Sequence, residues 1–565
     1  MELDRRHFIG GSAAAILAAA GTAGLVGCTS SSGQTSSNPE TSSETSSNAS
    51  PHSWESTPDP IPEDEITETV DTEVVVIGAG IAGLTCAHSA AMNGAQVILV
   101  EKMEEFSARG HDNGVVGSAY QKNQGIEADI PRMRQDYLQL TTYKTNINLW
   151  NVWASHSGEA MDYYAERMNE EGVTEFSMAA STHMDSDNVA VREYPTGIDF
   201  GVTQVTDDGE NIQHRFLRFV EQWAKDEGAE FRYSTKAERL IRDEDGPVTG
   251  VICSTENGYV KINASKGVVL ATGDISGNDD MLKTFAPIAL SCEDKLYTPF
   301  GGNEGDGINL ACWVGGAPQK TNAAIMALPS AKAKGGPLAS DGILGWLGVN
   351  MNGERYFAEN SGGPSICFAT MQQPEAKGYS IFDGKYEEKI LVQAPDGKNR
   401  SGIDYLGDLY GVSEGFEGLQ DWMDKGKEDG TFFEAETLDE LATTLGIDPE
   451  TLKSTVDEYN ALCEKGVDEA YGKPGQYLTT VDTPPFYASK IKAAVLVVPF
   501  GVNVNSHSQV CDADDKAIEN LYAIGNVQGN FFTDSYPMLF PGISHGRALT
   551  FGWVLGKALA EGKLI

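Results

Sequence analysis

None of the eight cysteines stands in a CxxC or CxxCH arrangement, which leaves no sequence basis for an iron–sulfur cluster, a covalent haem or a redox dithiol. Cys86, Cys253, Cys292, Cys312, Cys367, Cys463 and Cys511 read instead as small buried apolar side chains. Basic charge is scarce. Lys and Arg number 41 against 82 Asp and Glu, a net charge of −41. That balance describes a solvated acidic exterior and argues against contact with nucleic acid or an anionic membrane through a basic face. There is no internal repeat, no metal-ligand motif and no apolar run long enough for a comfortable transmembrane helix. What remains is a chain of 565 residues, long enough for two or three domains that each bury a core.

The N-terminus reads as an address. Ala13 to Val26 is small and apolar, like the h-region of an export signal. Arg5-Arg6-His7-Phe8-Ile9 resembles a twin-arginine signal, a route taken by proteins that fold around a cofactor before export. Leu25-Val26-Gly27-Cys28 resembles a bacterial lipobox, which makes Cys28 the lipidated first residue of the mature chain; the alternative is an incidental cysteine. Residues 1–28 are thus expected to be a twin-arginine lipoprotein-type signal. Residues 29–70, Ser/Thr/Pro-rich over most of their length, are expected to be a disordered tether that holds an exported protein to the cell membrane.

From Val74 to Lys102 the sequence spells one strand–turn–helix–strand unit. The β-branched run Val74 to Ile77 enters Gly78-Ala79-Gly80-Ile81-Ala82-Gly83, a glycine turn that opens a small-residue helix. Gly78 permits the turn, Gly80 lets the backbone approach a pyrophosphate, Gly83 lets helix and strand pack closely, and the helix N-terminus attracts negative charge. Glu101 follows about 20 residues after the first glycine, where an acid accepts ribose hydroxyls. Further along, Val248 to Cys253 and Tyr259 to Ile262 flank Glu256-Asn257-Gly258 as a hairpin. Gly267 to Leu270 is a buried strand that runs into Ala271-Thr272-Gly273-Asp274. Leu521 to Asn526 is a short strand and turn, and Gly542 to Lys557 a glycine-started helix. Amphipathic helices at Leu438 to Leu445 and Pro449 to Cys463 belong to a different region. The expected fold class is α/β: a Rossmann-like nucleotide domain, 71–322 and 499–565, interrupted by an α+β capping domain, 323–498.

GAGIAG with Glu101-Lys102, the Ala-Thr-Gly-Asp strand end, Gly305 to Ile308 and the stretch from Ile524 to Trp553 occur in the order found in the fumarate-reductase-type FAD flavoproteins, and the chain resembles that family from Asp71 onward. The family includes urocanate reductases, flavocytochrome fumarate reductases and 3-ketosteroid dehydrogenases. The resemblance implies FAD, with the substrate between cap and flavin. It implies pyrophosphate contacts at Gly78, Gly80, Ile81, Ala82 and Gly83, and adenosine contacts at Glu101, Lys102, Ala237, Ala271, Thr272, Gly273 and Asp274. Gly110, Asn113 and Gly114 are implied in the segment after the acid. Asn526 stands where the family often has Glu, at the ribityl chain, and the backbone of Gly542, Ile543 and Ser544 is implied at the flavin pyrimidine edge.

Departures from the family are as informative. Counted from shared anchors, the histidine of its cap falls on Leu328, one of its later histidines on Leu496 or Val497, its proton-donating arginine on Gly363 and its C-terminal arginine on Leu539. A dicarboxylate removed from water needs charge-assisted partners. Losing all of them converts an anion pocket into an apolar one. The expected substrate pocket, with Leu328, Val497 and Leu539, suits a neutral, hydrophobic molecule: an enone, steroid, lactone or aryl alkene. The expected reaction is reduction of its activated double bond by hydride from flavin N5 and a proton from Tyr536, or failing that His545 or His111. Alternatives are 3-ketosteroid desaturation in the same fold and a hydrophobic-ligand-binding lipoprotein. With no second nucleotide fingerprint and no haem motif, electrons are expected from a separate membrane quinol- or cytochrome-type donor.

Overall fold

The computed structural model describes residues 52–178, 192–201, 210–292, 294–295, 301–329, 331–332, 338–339, 345–361, 363–393 and 416–565. The expected signal, 1–28, and the tether up to residue 51 lie outside the described residues. The tether expected through residue 70 is shorter than that. Trp54 is buried with its ring 5.1 Å from that of Phe285, and the Trp313 indole donates to the Ser53 carbonyl at 2.8 Å. An aromatic of that size holds the chain against the core well before β1 (Ile66–Ile77) begins. Among the described residues no helix is long and apolar enough to cross a membrane.

β1 is followed by α1 (Ile81–Met92) and β2 (Val97–Val100), as the glycine turn requires. A short pair, β3 (Asn113–Gly114) and β4 (Gly197–Asp199), flanks α2 (Ile147–Glu170) in the chain; α3 (Ile212–Asp226) and β5 (Glu230–Arg232) come next. β6 (Lys236–Arg242), β7 (Val248–Thr255) and β8 (Gly258–Leu270) form an antiparallel meander, with the predicted hairpin between β7 and β8. Adding β14 (Gln509–Cys511) and β15 (Ala517–Ala523) completes an eight-stranded sheet of order β14-β15-β8-β1-β2-β5, with β7 and β6 beyond β8. β1 runs parallel to both β2 and β8, in registers Ile77↔Val100 and Ile77↔Leu270. Val74, Val75 and Val76 have no exposed surface. That is how a parallel strand covered on both faces reads, as an unbroken apolar run.

The inserted region is built on β13 (Phe486–Val497). This strand pairs antiparallel with β9 (Met326–Pro329), β11 (Lys377–Asp383) and β12 (Phe432–Ala435), and β11 pairs in turn with β10 (Leu347–Asn350). Helices α4 (Leu438–Leu445) and α5 (Pro449–Lys465) carry Leu441, Leu445, Leu452 and Val456 into a second core with Leu347 and Ile381. Met326 to Pro329 and the end of β13 lie at the other side of that sheet, where Ala327, Ala493 and Val495 join the main core.

The chain closes on α6 (Ile543–Glu561), entered through Gly542 in the left-handed region at φ +73°. α6 lies along α1. A Cβ on Gly552 would stand 2.0 Å from Thr85 Oγ1 and 2.6 Å from the Ala82 carbonyl, and one on Gly556 would stand 2.4 Å from the Cys86 carbonyl. Later residues of α6 meet later residues of α1, so the helices are parallel and both N-termini lie at the same end. Gly552→Val is expected to wedge them apart at a cost of about 1–3 kcal/mol, read as a lower melting temperature in thermal unfolding; an unchanged midpoint would contradict the close packing.

Candidate active site

The site assembles around the two helix N-termini. At α1, a Cβ on Gly83 would lie 1.9 Å from the Gly78 carbonyl, so only glycine lets the turn fold onto its helix. A Cβ on Gly80 would meet nothing within 4 Å. That open cradle in front of the unpaired amides of α1 fits a pyrophosphate. Glu101 leaves β2 beside it and accepts from the Ala79 amide at 2.7 Å and the Met103 amide at 2.9 Å, which fixes its carboxylate while leaving lone pairs for ribose hydroxyls. Ala237 and Ala271 are buried close by, Ala237 two residues past Thr235, whose amide donates to the Glu101 carbonyl at 2.8 Å. Thr272 Oγ1 accepts the Gly307 amide at 3.1 Å, and Gly273 adopts φ +82°.

Three of the expected cofactor side chains are engaged with protein instead. The Lys102 ammonium, expected among the adenosine contacts, lies 2.8 Å from both Glu304 and Asp306, which neutralise its charge. The Asp274 carboxylate is fully buried, and it accepts from Arg109 at 3.1 Å and from the Ser276 amide at 2.8 Å. Asn113 exchanges side-chain hydrogen bonds with Gln213 at 3.0 and 3.2 Å, leaving only its backbone to face a ligand. Ile543 likewise has a buried side chain, and its amide already donates to the Phe540 carbonyl at 3.0 Å.

Around the α6 N-terminus the backbone is drawn tight. The Gly114 amide donates to the Gly542 carbonyl at 2.8 Å, the Tyr194 amide to the Leu539 carbonyl at 2.7 Å, and Thr196 Oγ1 to the Pro541 carbonyl at 2.9 Å. Gly525 approaches α1, with an added Cβ falling 2.9 Å from Ala82 Cβ, and Ser544 Oγ donates to Asn526 Oδ1 at 3.2 Å. A ligand running from the glycine turn to Gly542 therefore passes Asn526, as an FAD would.

The three candidate proton donors differ. Tyr536 stacks on Phe532 with centroids 4.4 Å apart, and burial pushes its phenol up to about 12, so it keeps its proton at neutral pH. His545 packs over Gly110, where a Cβ would lie 2.5 Å from its Cε1, and its Nδ1–H donates to the Asp112 carbonyl at 2.8 Å. Burial pulls that ring down to about 4, so it is a neutral orienting group and not the acid it was expected to be able to supply. His111 Nδ1 lies 2.8 Å from Asp112 and 3.0 Å from Asp199. Burial works against charge on this ring, but the two carboxylates outweigh it and hold its pKa well above the usual value. The same three residues are the group that proximity would offer a metal, with ligand atoms within 4.8 Å of one another among the described residues; the shared proton already accounts for that geometry. Asp112, Asp199 and Arg109 carry no motif, and Arg547, though within the Ile524–Trp553 stretch, is given no role there; only their neighbours in space reveal them.

Two measurements test these assignments. Burial first, and then the Asp112 charge, push the Asp199 carboxyl up to about 7. The native state thus keeps a proton that an unfolded aspartate releases near pH 4, and this group costs stability as pH rises from about 4 through 7. Asp199→Asn is expected to gain melting temperature over the parent more at pH 8 than at pH 5, and equal differences would contradict the assignment. Glu101→Ala is expected to weaken FAD binding about tenfold or more, given the strength of hydrogen bonds to a charged acceptor, in a titration of apoprotein.

The family described as FAD binding domain matches residues 73–538. The vinyl phenol reductase of Lactiplantibacillus plantarum is 25% identical, over 86% of this chain and 96% of its own. The fumarate reductase (cytochrome) of Shewanella frigidimarina is 26% identical, over 87% of this chain and 77% of its own. Among solved structures, the 3-ketosteroid-Δ4-(5α)-dehydrogenase of Rhodococcus jostii superposes with a TM-score of 0.65 at 19% identity, covering 89% of this chain and 99% of that one. That likeness agrees with an FAD-binding α/β fold carrying a cap. The chain belongs to the FAD binding domain family and is an FAD-dependent oxidoreductase acting on CH–CH groups.

Proposed function

We propose that the enzyme reduces the activated carbon–carbon double bond of a neutral, hydrophobic substrate, with an aryl alkene as the leading class and an enone next. The observation that carries this reading is that, among the described residues, uncharged residues stand at the four positions where the family clamps a dicarboxylate. Leu328 stands on β9 opposite Ala494, and Val497 stands opposite Met326 at the end of β13. Leu496 and Leu539 are buried, and Gly363 opens the helix Gly363–Met371 with no side chain to give. A carboxylate brought among such residues would lose its hydration without compensation. The vinyl phenol reductase, a relative named for a neutral aryl alkene, supports the same class.

Bound FAD supplies the hydride. The chain supplies the proton and the polarisation. Tyr536 is the proposed donor, since its phenol is protonated at neutral pH and lies beside Ser544, on the first turn of α6. The helix end at the start of α6 is proposed to favour charge that develops on the substrate, the role of an oxyanion-stabilising helix end. His111, held charged between Asp112 and Asp199, is a reservoir that can replace the proton. The twin-arginine and lipobox resemblances at Arg5-Arg6 and Cys28 support an exported, lipid-anchored enzyme fed by a quinol- or cytochrome-type donor in the membrane.

Anaerobic reoxidation of the dithionite-reduced enzyme tests the substrate class. Vinyl phenols or enones are expected to return the oxidised flavin spectrum and fumarate is not; reoxidation by fumarate alone would refute the apolar pocket. Bleaching of the oxidised enzyme by a saturated 3-ketosteroid would instead assign desaturation. Tyr536→Phe is expected to lower turnover by about 10²–10⁴-fold, the usual contribution of a positioned acid, with reduction by dithionite unimpaired. Full turnover in this variant would remove Tyr536 as the donor.

A further inference from the structure

Arg547 has no exposed surface, and among the described residues no carboxylate pairs with it. Its Nη2 donates to Asn526 Oδ1 at 2.7 Å and its Nη1 to the Gln528 carbonyl at 3.4 Å, while Nε has no partner. Two rings cover the guanidinium, Phe531 at 5.0 Å and Phe532 at 4.8 Å. Burial pulls its pKa down to about 10, with the Tyr536 and Tyr137 phenols acting the other way, so it is a cation at neutral pH. Neutral hydrogen bonds and ring faces offset only part of the several kcal/mol that desolvating such an ion costs. A buried cation left in that condition awaits a negative partner that the chain does not provide.

Its position identifies the partner. Arg547 lies one helical turn beyond Ser544, and both fasten the same oxygen, Oδ1 of Asn526. With that oxygen taken, Asn526 is left to offer its N–H donors. Asn526 stands between the first turns of α1 and α6, on the path from the glycine turn to Gly542. Where the family often has a glutamate that could neutralise this guanidinium, the chain has an amide that cannot.

We propose that Arg547 is an electrostatic positioning residue for the flavin, an unneutralised charge that raises its reduction potential. The inference rests on FAD binding at this site. Two electrons and one proton added to the neutral ring system leave it one unit more negative, and a buried positive charge nearby favours that form over the oxidised one. Later transfer of a hydride to the substrate alkene, with a second proton from the protein, returns the ring to neutrality.

The test is a redox titration of the holoenzyme against indicator dyes at fixed pH. Arg547→Met is expected to lower the preference for the reduced form about tenfold, a fall of about 30 mV for a two-electron couple, while Arg547→Lys keeps most of the parent potential. An unmoved potential in Arg547→Met, or an equal fall in Arg547→Lys, would overturn the proposal. Asn526→Asp gives a second arm that leaves the core filled: a carboxylate accepting the same guanidinium bond cancels the charge, so the potential is expected to fall in a protein no less stable to heat, and an unchanged potential would again overturn it. A parent protein lacking flavin absorbance would overturn the cofactor assignment itself, and is told apart from a yellow protein whose potential does not move.

Discussion

The parallel packing of α1 and α6 is the constraint on which the site depends. Gly552 and Gly556 remove the side chains that would hold the helices apart, so backbone meets backbone along Ala82 to Ala90. Because the helices are parallel, the positive ends of both macrodipoles face the same way, with the start of α6 projecting beyond that of α1. In a chain of net charge −41 these helix ends stand together with two cationic side chains, Arg547 and His111. Gly525 and Asn526 fit between the two ends. A long ligand with phosphates at one end and an electron-accepting ring at the other matches that layout better than a compact anion would.

The second layer of order is how the chain ties its loops to those helix ends. β3 and β4 are only two and three residues long, yet they bring Gly114 onto Gly542 and Asp199 onto His111. Trp153 donates to the Gly114 carbonyl at 2.9 Å from α2, so the loop is fixed from behind as well as in front. Rigid placement of this kind makes a shared proton possible at His111, Asp112 and Asp199. In water the same three groups would titrate independently; buried within hydrogen-bonding distance they do not.

How much of this was legible follows the range of the interactions. β1, α1 and β2 are specified by residues within one short stretch, and the hairpin at Gly258 and helix Leu438–Leu445 by local turn and cap chemistry, so sequence pattern found them. Lys102 illustrates the opposite case. Its neighbours in sequence are those of a nucleotide site, but its charge is taken by Glu304 and Asp306, about two hundred positions away, which no periodicity reveals. The same holds for Arg109 on Asp274 and for Asn113 on Gln213. A polar, proline-rich stretch reads as tether, and only the burial of Trp54 shows that its last part is held on the core. A single large aromatic with a place to go is enough to order its segment.

The distribution of buried charge bears on both the substrate and the flavin. In the cap, Arg355 lies between Glu359 and Asp468, each 2.8 Å away, under the rings of Tyr459 and Tyr471, and Lys473 lies 3.6 Å from Glu359. Two cations meet two anions there, and the cluster serves to lock Asn350–Glu359 to the turn after α5. Beside β4, Arg192 pairs with Asp136. Each of these buried cations already has its counterion. Arg547, by contrast, has no carboxylate partner among the described residues, and its guanidinium donates to Asn526. On the proposed reading, the charge left uncompensated at Arg547 is one that a bound cofactor can use.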